Sequence, residues 1–519
     1  MFRSAILAAL ASGMVLAAPD EPKKPTPKFT LAKDTTFVTE PLDAEGYIDY
    51  EAALNKQLKG TSTPETNAVV LLVKCFGPKP DGKELHPDFY KALGIEPPPA
   101  EGEYLKVQEA FFQVKRGDEN FLALGKLAEG LRLRAWKPAD SPRHAEWLKV
   151  NEKALALSIE ASNRKDYFHP FISRKADGSK GMLLGALLSL VQKNREVAAM
   201  LSLRATLKLG EGNIESALDD VLAIHRLCRL TARGGSLIEL LVGCALENIA
   251  HNAEVVVLNH KDCTAKQAMA FQSELLKLAT MPRVADKIGQ SERLVFLDSL
   301  QLVQRQGMAE FQKGLGNDPG GADSLVADLV MKAVDWEVVF RFANSWYDKI
   351  EALLRKPTYA ERVLAGEAMV KELRAMKAEV QDMKEIQKLV RDAKDLDKIR
   401  AVVSEKIGKV FVSLMLPAFN KVDAACDRAE QFHRNGVIAA GLAAHFADHK
   451  TYPDKLADLT PMYLAKVPDD VFSGKGLIYQ RTDAGYLFYS VGFNGQDDGG
   501  KFFGATPPGD DIGVRMPRN

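Results

Sequence analysis

Between Gly46 and about Ala429, apolar residues return at i, i+3, i+4 and i+7 in stretch after stretch, interrupted by short turn clusters. A period near 3.6 puts those side chains on one stripe of a helix, whereas a half-buried strand needs a period of two. A chain patterned this way over most of its length is restricted to helix-on-helix packing. We read it as mainly α, an irregular array of helical hairpins. The breaks between hairpins fall at 76–82 (FGPKPDG), 96–102 (EPPPAEG), 137–142 (KPADSP) and 314–322 (GLGNDPGGA). Ser236-Leu237-Ile238-Glu239 and Thr264-Ala265-Lys266-Gln267 fit the capping box, in which a hydroxyl and a longer side chain satisfy orphan backbone donors reciprocally, so helices are predicted to start at both.

The N-terminus reads as a secretory signal at 1–17: a basic start, Met1-Phe2-Arg3, an apolar run from Ala5 to Leu16, and small residues at Ala17 and Ala18. The exported chain is expected to begin near Ala18 and to be periplasmic or extracellular. The run is too short for a membrane span, which takes about 20 residues, and we expect no span later in the mature chain. Residues 18–45, opening PDEPKKPTPK after Ala18, read as a Pro/Lys-rich linker, 46–430 as the helical domain, and 431–519 as a small α+β module. Lys plus Arg number 69 and Asp plus Glu 69, a balance without the basic footprint that nucleic-acid binding requires.

The segment Gly212 to Leu218 (GNIESAL) resembles the inter-helix turn of a tetratricopeptide repeat, with no second copy at a 34-residue period. Between Glu361 and Lys409 charges of both signs alternate through Met and Leu positions, the pattern of a long amphipathic helix or helix pair with a solvated polar face. In the middle of the chain, His225 and Cys228 lie three apart, and Cys244, Glu247 and His251 follow at i, i+3 and i+7. These are expected to be packing residues; the alternatives are soft metal ligands or a Cys228–Cys244 disulfide. Five cysteines are too few for a disulfide scaffold. His445 and His449 share a helix face, but Phe446 stands where a zinc peptidase carries its general-base Glu. The sequence holds no phosphate loop and no G-x-S-x-G elbow, so a catalytic role is not expected. The rival is an enzyme site near His225, Glu247 and His251.

Composition changes after Glu430. A final helix is predicted from Arg434 to Lys450 and stops at Thr451-Tyr452-Pro453; two alternating runs, Leu477–Arg481 and Tyr486–Val491, then form a hairpin. The order Tyr452-Pro453, Val467-Pro468-Asp469, Phe472-Ser473-Gly474, the hairpin, Ser490-Val491-Gly492-Phe493-Asn494-Gly495 and Asp510-Asp511-Ile512 resembles the globular domain of the major pseudopilin of type II secretion systems. No membrane-spanning helix introduces the domain here, so filament assembly is not implied. The resemblance implies Ca²⁺ in the last loop. The residues agree: from Ser490 to Gly513 there are four Asp against one Lys, and Asn494, Asp497, Asp498, Asp510 and Asp511 offer the hard oxygens that Ca²⁺ takes. The loop is not an EF-hand, since Ala505 falls where the bidentate Glu belongs, and a solvated acidic turn is the alternative. The expected function is that of an exported, non-catalytic helical protein acting on a protein partner in the cell envelope, or else an accessory subunit of a secretion system.

Overall fold

Several helices of this protein begin where a side chain takes up an orphan backbone amide. In a computed structural model describing residues 27, 29–175, 178–186, 190–314, 334–381, 396–415, 419–503 and 505–517, Asp49 accepts from Ala52 N at the head of α1 (Tyr50–Lys59), and Asn67 from Val69 N at the head of α2 (Ala68–Phe76). The expected signal segment, the start of the linker, the turn cluster after Gly314 and the middle of the charged stretch lie outside these residues. Beyond four shorter or peripheral helices between residues 87 and 150 come α3 (Glu152–Ser162), α4 (Val191–Gly210), α5 (Ile214–Ala232), α6 (Leu237–Leu258) and α7 (Ala265–Leu276). Both predicted capping boxes are present, at Ser236/Glu239 and Thr264/Gln267. Gly212, at φ +81°, makes the predicted turn between α4 and α5, a backbone conformation that costs a β-carbon-bearing residue energy.

The remaining helices used below are α8 (Arg293–Gln306), α9 (Trp336–Leu354), α10 (Tyr359–Gln381), α11 (Leu396–Met415) and α12 (Phe419–His449). The charged stretch contributes a helix pair, α10 and α11, bridged by Glu379 to Lys406 and Lys409. A three-stranded antiparallel sheet, β1 (Ile478–Arg481), β2 (Tyr486–Ser490) and β3 (Ile512–Met516), closes the chain in the order β1-β2-β3. Its register pairs Arg481 with Tyr486 and Ser490 with Ile512. The fold is mainly α with a small C-terminal α+β part. One core gathers α1, α8, α9 and α11; a second α2 to α6; a third joins the ends of α4, α5 and α6 to α7, α12 and the sheet.

Four expectations change. The last helix starts at Phe419, not Arg434, and runs unbroken through the anticipated domain boundary at 430/431, because Phe419, Val422 and Ala429 continue its buried stripe N-terminally. The strand β3 was not anticipated; Gly513 interrupts its apolar pattern. The linker ends earlier than residue 45: Phe29 is buried against Phe340 of α9 at 4.3 Å between ring centroids, and Thr30 Oγ1 donates to Glu337 Oε2 at 3.1 Å. Finally, α6 is long and apolar enough by composition to cross a membrane, yet about two-thirds of its apolar window is buried inside the protein. Its Glu239, Glu247, His251 and Glu254 are buried among partners from other helices and loops.

Candidate functional site: a buried charge network

Where α5, α6 and α12 meet, helical spacing stacks six polar side chains. His225 and Arg229 stand one turn apart on α5, Glu247, His251 and Glu254 line one face of α6, and α12 adds His433. His225 bridges two carboxylates, with Nδ1 3.2 Å from Glu247 Oε1 and Nε2 2.9 Å from Glu254 Oε2. Arg229 Nη1 donates to Glu247 Oε2 at 2.6 Å, and His251 Nδ1 lies 2.6 Å from Glu254 Oε1, its ring stacked on Phe432. The close approach of α12 is made possible by Gly436, whose place a β-carbon would occupy only 2.3 Å from Glu254 Oε1.

Burial drags an imidazole down, but Glu247 and Glu254 outweigh it and push His225 up to about 9. Burial raises both carboxyls in turn, and the cations prevail: Arg229 and His225 hold Glu247 well below its usual range, and His225 with His251 lowers Glu254. At neutral pH two cations therefore face two anions, a balance that makes the buried charge tolerable. His433 is depressed by burial, and its Nδ1 lacks a hydrogen-bond partner although it lies 3.7 Å from Glu247 Oε1.

His225, Cys228, Cys244, Glu247 and His251 are thus buried, as expected of packing residues, but His225, Glu247 and His251 are held by charge as well as by apolar contact. The cysteines form no Cys228–Cys244 bridge. Cys228 Sγ sits 3.6 Å from the Met281 thioether sulfur, and Cys244 Sγ 3.6 Å from Cys426 Sγ, the three cysteines being free thiols. Arg229, Glu254 and His433 escaped the sequence reading. The first two continue the helical spacing of His225 and Glu247, at i+4 and i+7, and that was the available signal. The rings of His445 and His449 lie tilted with centroids 4.5 Å apart, with His445 Nδ1 on Thr451 O and His449 Nε2 on the Tyr463 hydroxyl.

In the C-terminal loop, Asn494, Asp498 and Asp510 are drawn together. Asp498 Oδ2 accepts from Asn494 Nδ2 at 3.2 Å and from Asp510 N at 3.1 Å, while Asp510 Oδ2 accepts from Asn494 N at 2.9 Å. The other two candidates turn elsewhere: Asp497 Oδ1 accepts from the Tyr489 hydroxyl and Gly499 N, and Asp511 from Gly500 N. Asp510 Oδ1 is buried without a partner, so the hard-oxygen donor set fits a hard divalent cation at Asp498 and Asp510. Sequence reasoning missed Asp470, which ties the loop to the sheet by accepting from the Ser490 and Ser473 hydroxyls at 2.7 Å and from Phe472 N at 2.9 Å.

No family model, curated protein or solved structure matches the chain. Its chemistry rests on its own geometry.

A crevice of about 180 Å³ opens beside α1 and α8, lined by Asp49, Glu51, Lys180, Asp298 and Arg305. Burial pushes the Asp298 carboxyl up to about 7, although Leu183 N donates to it at 2.8 Å. A neighbouring cavity of about 260 Å³ shares Gly181, Met182 and Leu302 with it. The cations on these walls are already paired: Arg174 with Glu51 and Asp88, Lys175 with Glu310, Arg305 with Asp43 and Glu45.

Proposed function

We propose that this chain is an exported, non-catalytic helical protein of the cell envelope that acts through protein contacts, its pseudopilin-like C-terminal part stabilised by calcium. The observation that carries the reading is the sealing of the charge network. His225, Glu247 and Glu254 are 0% exposed and His251 3%, with His225, Glu247 and Glu254 engaged through both polar atoms and His251 through Nδ1, so these side chains are committed to one another. An enzyme site needs convergent polar groups facing a substrate-sized pocket. A scaffold needs what α12 supplies, one helix shared by two cores. Lysine-directed crosslinking of the full chain in intact envelopes tests this: adducts to one protein from lysines on a single face support it, and adducts scattered over all faces sink it.

Calcium belongs to the same proposal. Asp498 and Asp510 would hold the ion, which supplies charge neutralisation where two carboxylates crowd. Extracellular-type sites bind with Kd of about 10⁻⁴–10⁻³ M, so at ten times Kd linkage adds roughly 1.4 kcal/mol. Full-length protein is expected to melt higher in calcium than in chelator, and Asp510→Asn to lose that shift; equal melting curves for wild type in both would remove calcium from the reading.

A further inference from the structure

Among the described residues, the ligand atoms of His225, Glu247 and His433 lie mutually within 4.8 Å. Glu247 Oε1 is their hinge, 3.2 Å from His225 Nδ1 and 3.7 Å from His433 Nδ1. A tetrahedral zinc ion with bonds near 2.0–2.1 Å spaces its ligands about 3.3–3.4 Å apart, so small side-chain shifts convert this trio into a coordination set. A second observation is independent of that spacing. His433 Nδ1 is buried and unpartnered while pointing at a carboxylate, an arrangement left incomplete by the protein's own groups.

The surroundings have the form of an outer shell. His225 turns its other nitrogen to Glu254 Oε2 at 2.9 Å, Glu254 Oε1 is held by His251 Nδ1 at 2.6 Å, and Arg229 fixes the remaining oxygen of Glu247 at 2.6 Å. Metal-binding histidines commonly hand their second nitrogen to a carboxylate in this way, which fixes ring orientation. Two imidazoles and one carboxylate suit zinc better than calcium or magnesium.

We propose that His225 Nδ1, Glu247 Oε1 and His433 Nδ1 bind one zinc-class divalent cation, which replaces the proton between His225 and Glu247 and ties α5, α6 and α12 together. The fourth position is left to water. His433, its side chain 16% exposed against 0% for the other two, marks the side from which the ion enters. This site draws on the same buried network that carries the protein-contact reading and goes beyond that reading; it is separate from the acidic loop.

The test uses the full chain in a His445→Ala, His449→Ala background, which removes the other neighbouring histidine pair. Zinc chloride titration followed by desalting and elemental analysis is expected to leave one zinc per chain. His433→Ala should weaken binding about 100-fold at unchanged circular dichroism, and Glu254→Gln about 10-fold. Cobalt(II) substitution should give a visible band of nitrogen and oxygen ligation. No retained zinc, unchanged affinity in His433→Ala, or a cobalt–thiolate band implicating Cys244 and Cys426 would each overturn the assignment.

Discussion

Asp298 shows how one residue sets a pH dependence. Its folded-state carboxyl is raised from 3.8 to about 7, so the folded chain holds that proton more tightly than the unfolded chain does. Unfolding then releases a proton between about pH 4 and 7, and stability falls as pH rises through that window. Asp298→Asn should flatten this slope in melting temperatures measured from pH 4.5 to about 7; parallel curves for variant and wild type would refute the attribution. Glu254 tests the opposite case, a carboxylate stabilised by its partners. Glu254→Ala strips the Nε2 side of His225 of its partner, and breaking a buried pair costs about 3–5 kcal/mol, which urea denaturation will read. A loss under about 1 kcal/mol would mean that water replaces the carboxylate. His225, Glu247 and His251 were legible from spacing alone. His433 was not, because its neighbours lie on helices some 180 residues earlier, and only the packing of α12 brings them together.

At the scale of elements, capping chemistry was the most legible signal, since the boxes at Ser236 and Thr264 are complete within four residues and need nothing from the rest of the fold. Strand β3 was the least legible. Five residues containing Gly513 carry little pattern, and β3 exists because β2, buried on both faces, needs a second neighbour for its backbone. The helix α12 lies between these cases: its apolar stripe was visible, its start was not. Its crossing with α6 depends on Gly436, and Gly436→Ala should destabilise the protein by about 1–3 kcal/mol through overpacking against Glu254. That outcome runs against intrinsic helix propensity, which favours Ala over Gly by about 1 kcal/mol. A stabilised variant in urea titration would show that Glu254 moves aside freely.

For the whole molecule, the third core decides how the chain divides. Val437, Ile438 and Leu442 of α12 pack in the same cluster as Ala268, Phe271 and Leu275 of α7 and Tyr486 and Phe488 of the sheet. A fragment cut at the compositional boundary, residues 431–519, would leave the α7 side of that cluster open to water. It is expected to show no cooperative melt in calorimetry, whereas the full chain should lose the sheet and α7 in one transition; an independent, sharp transition in the fragment would contradict this. The unbroken α12 also has a mechanical meaning. At 1.5 Å per residue its 31 residues make a strut about 46 Å long, anchored at one end by Phe419 and Val422 in the first core and at the other by the sheet-bearing third. Tension applied to the C-terminal sheet is therefore delivered along a stiff rod to the opposite core, past Glu254 and His433 on the way, instead of being absorbed by a slack tether.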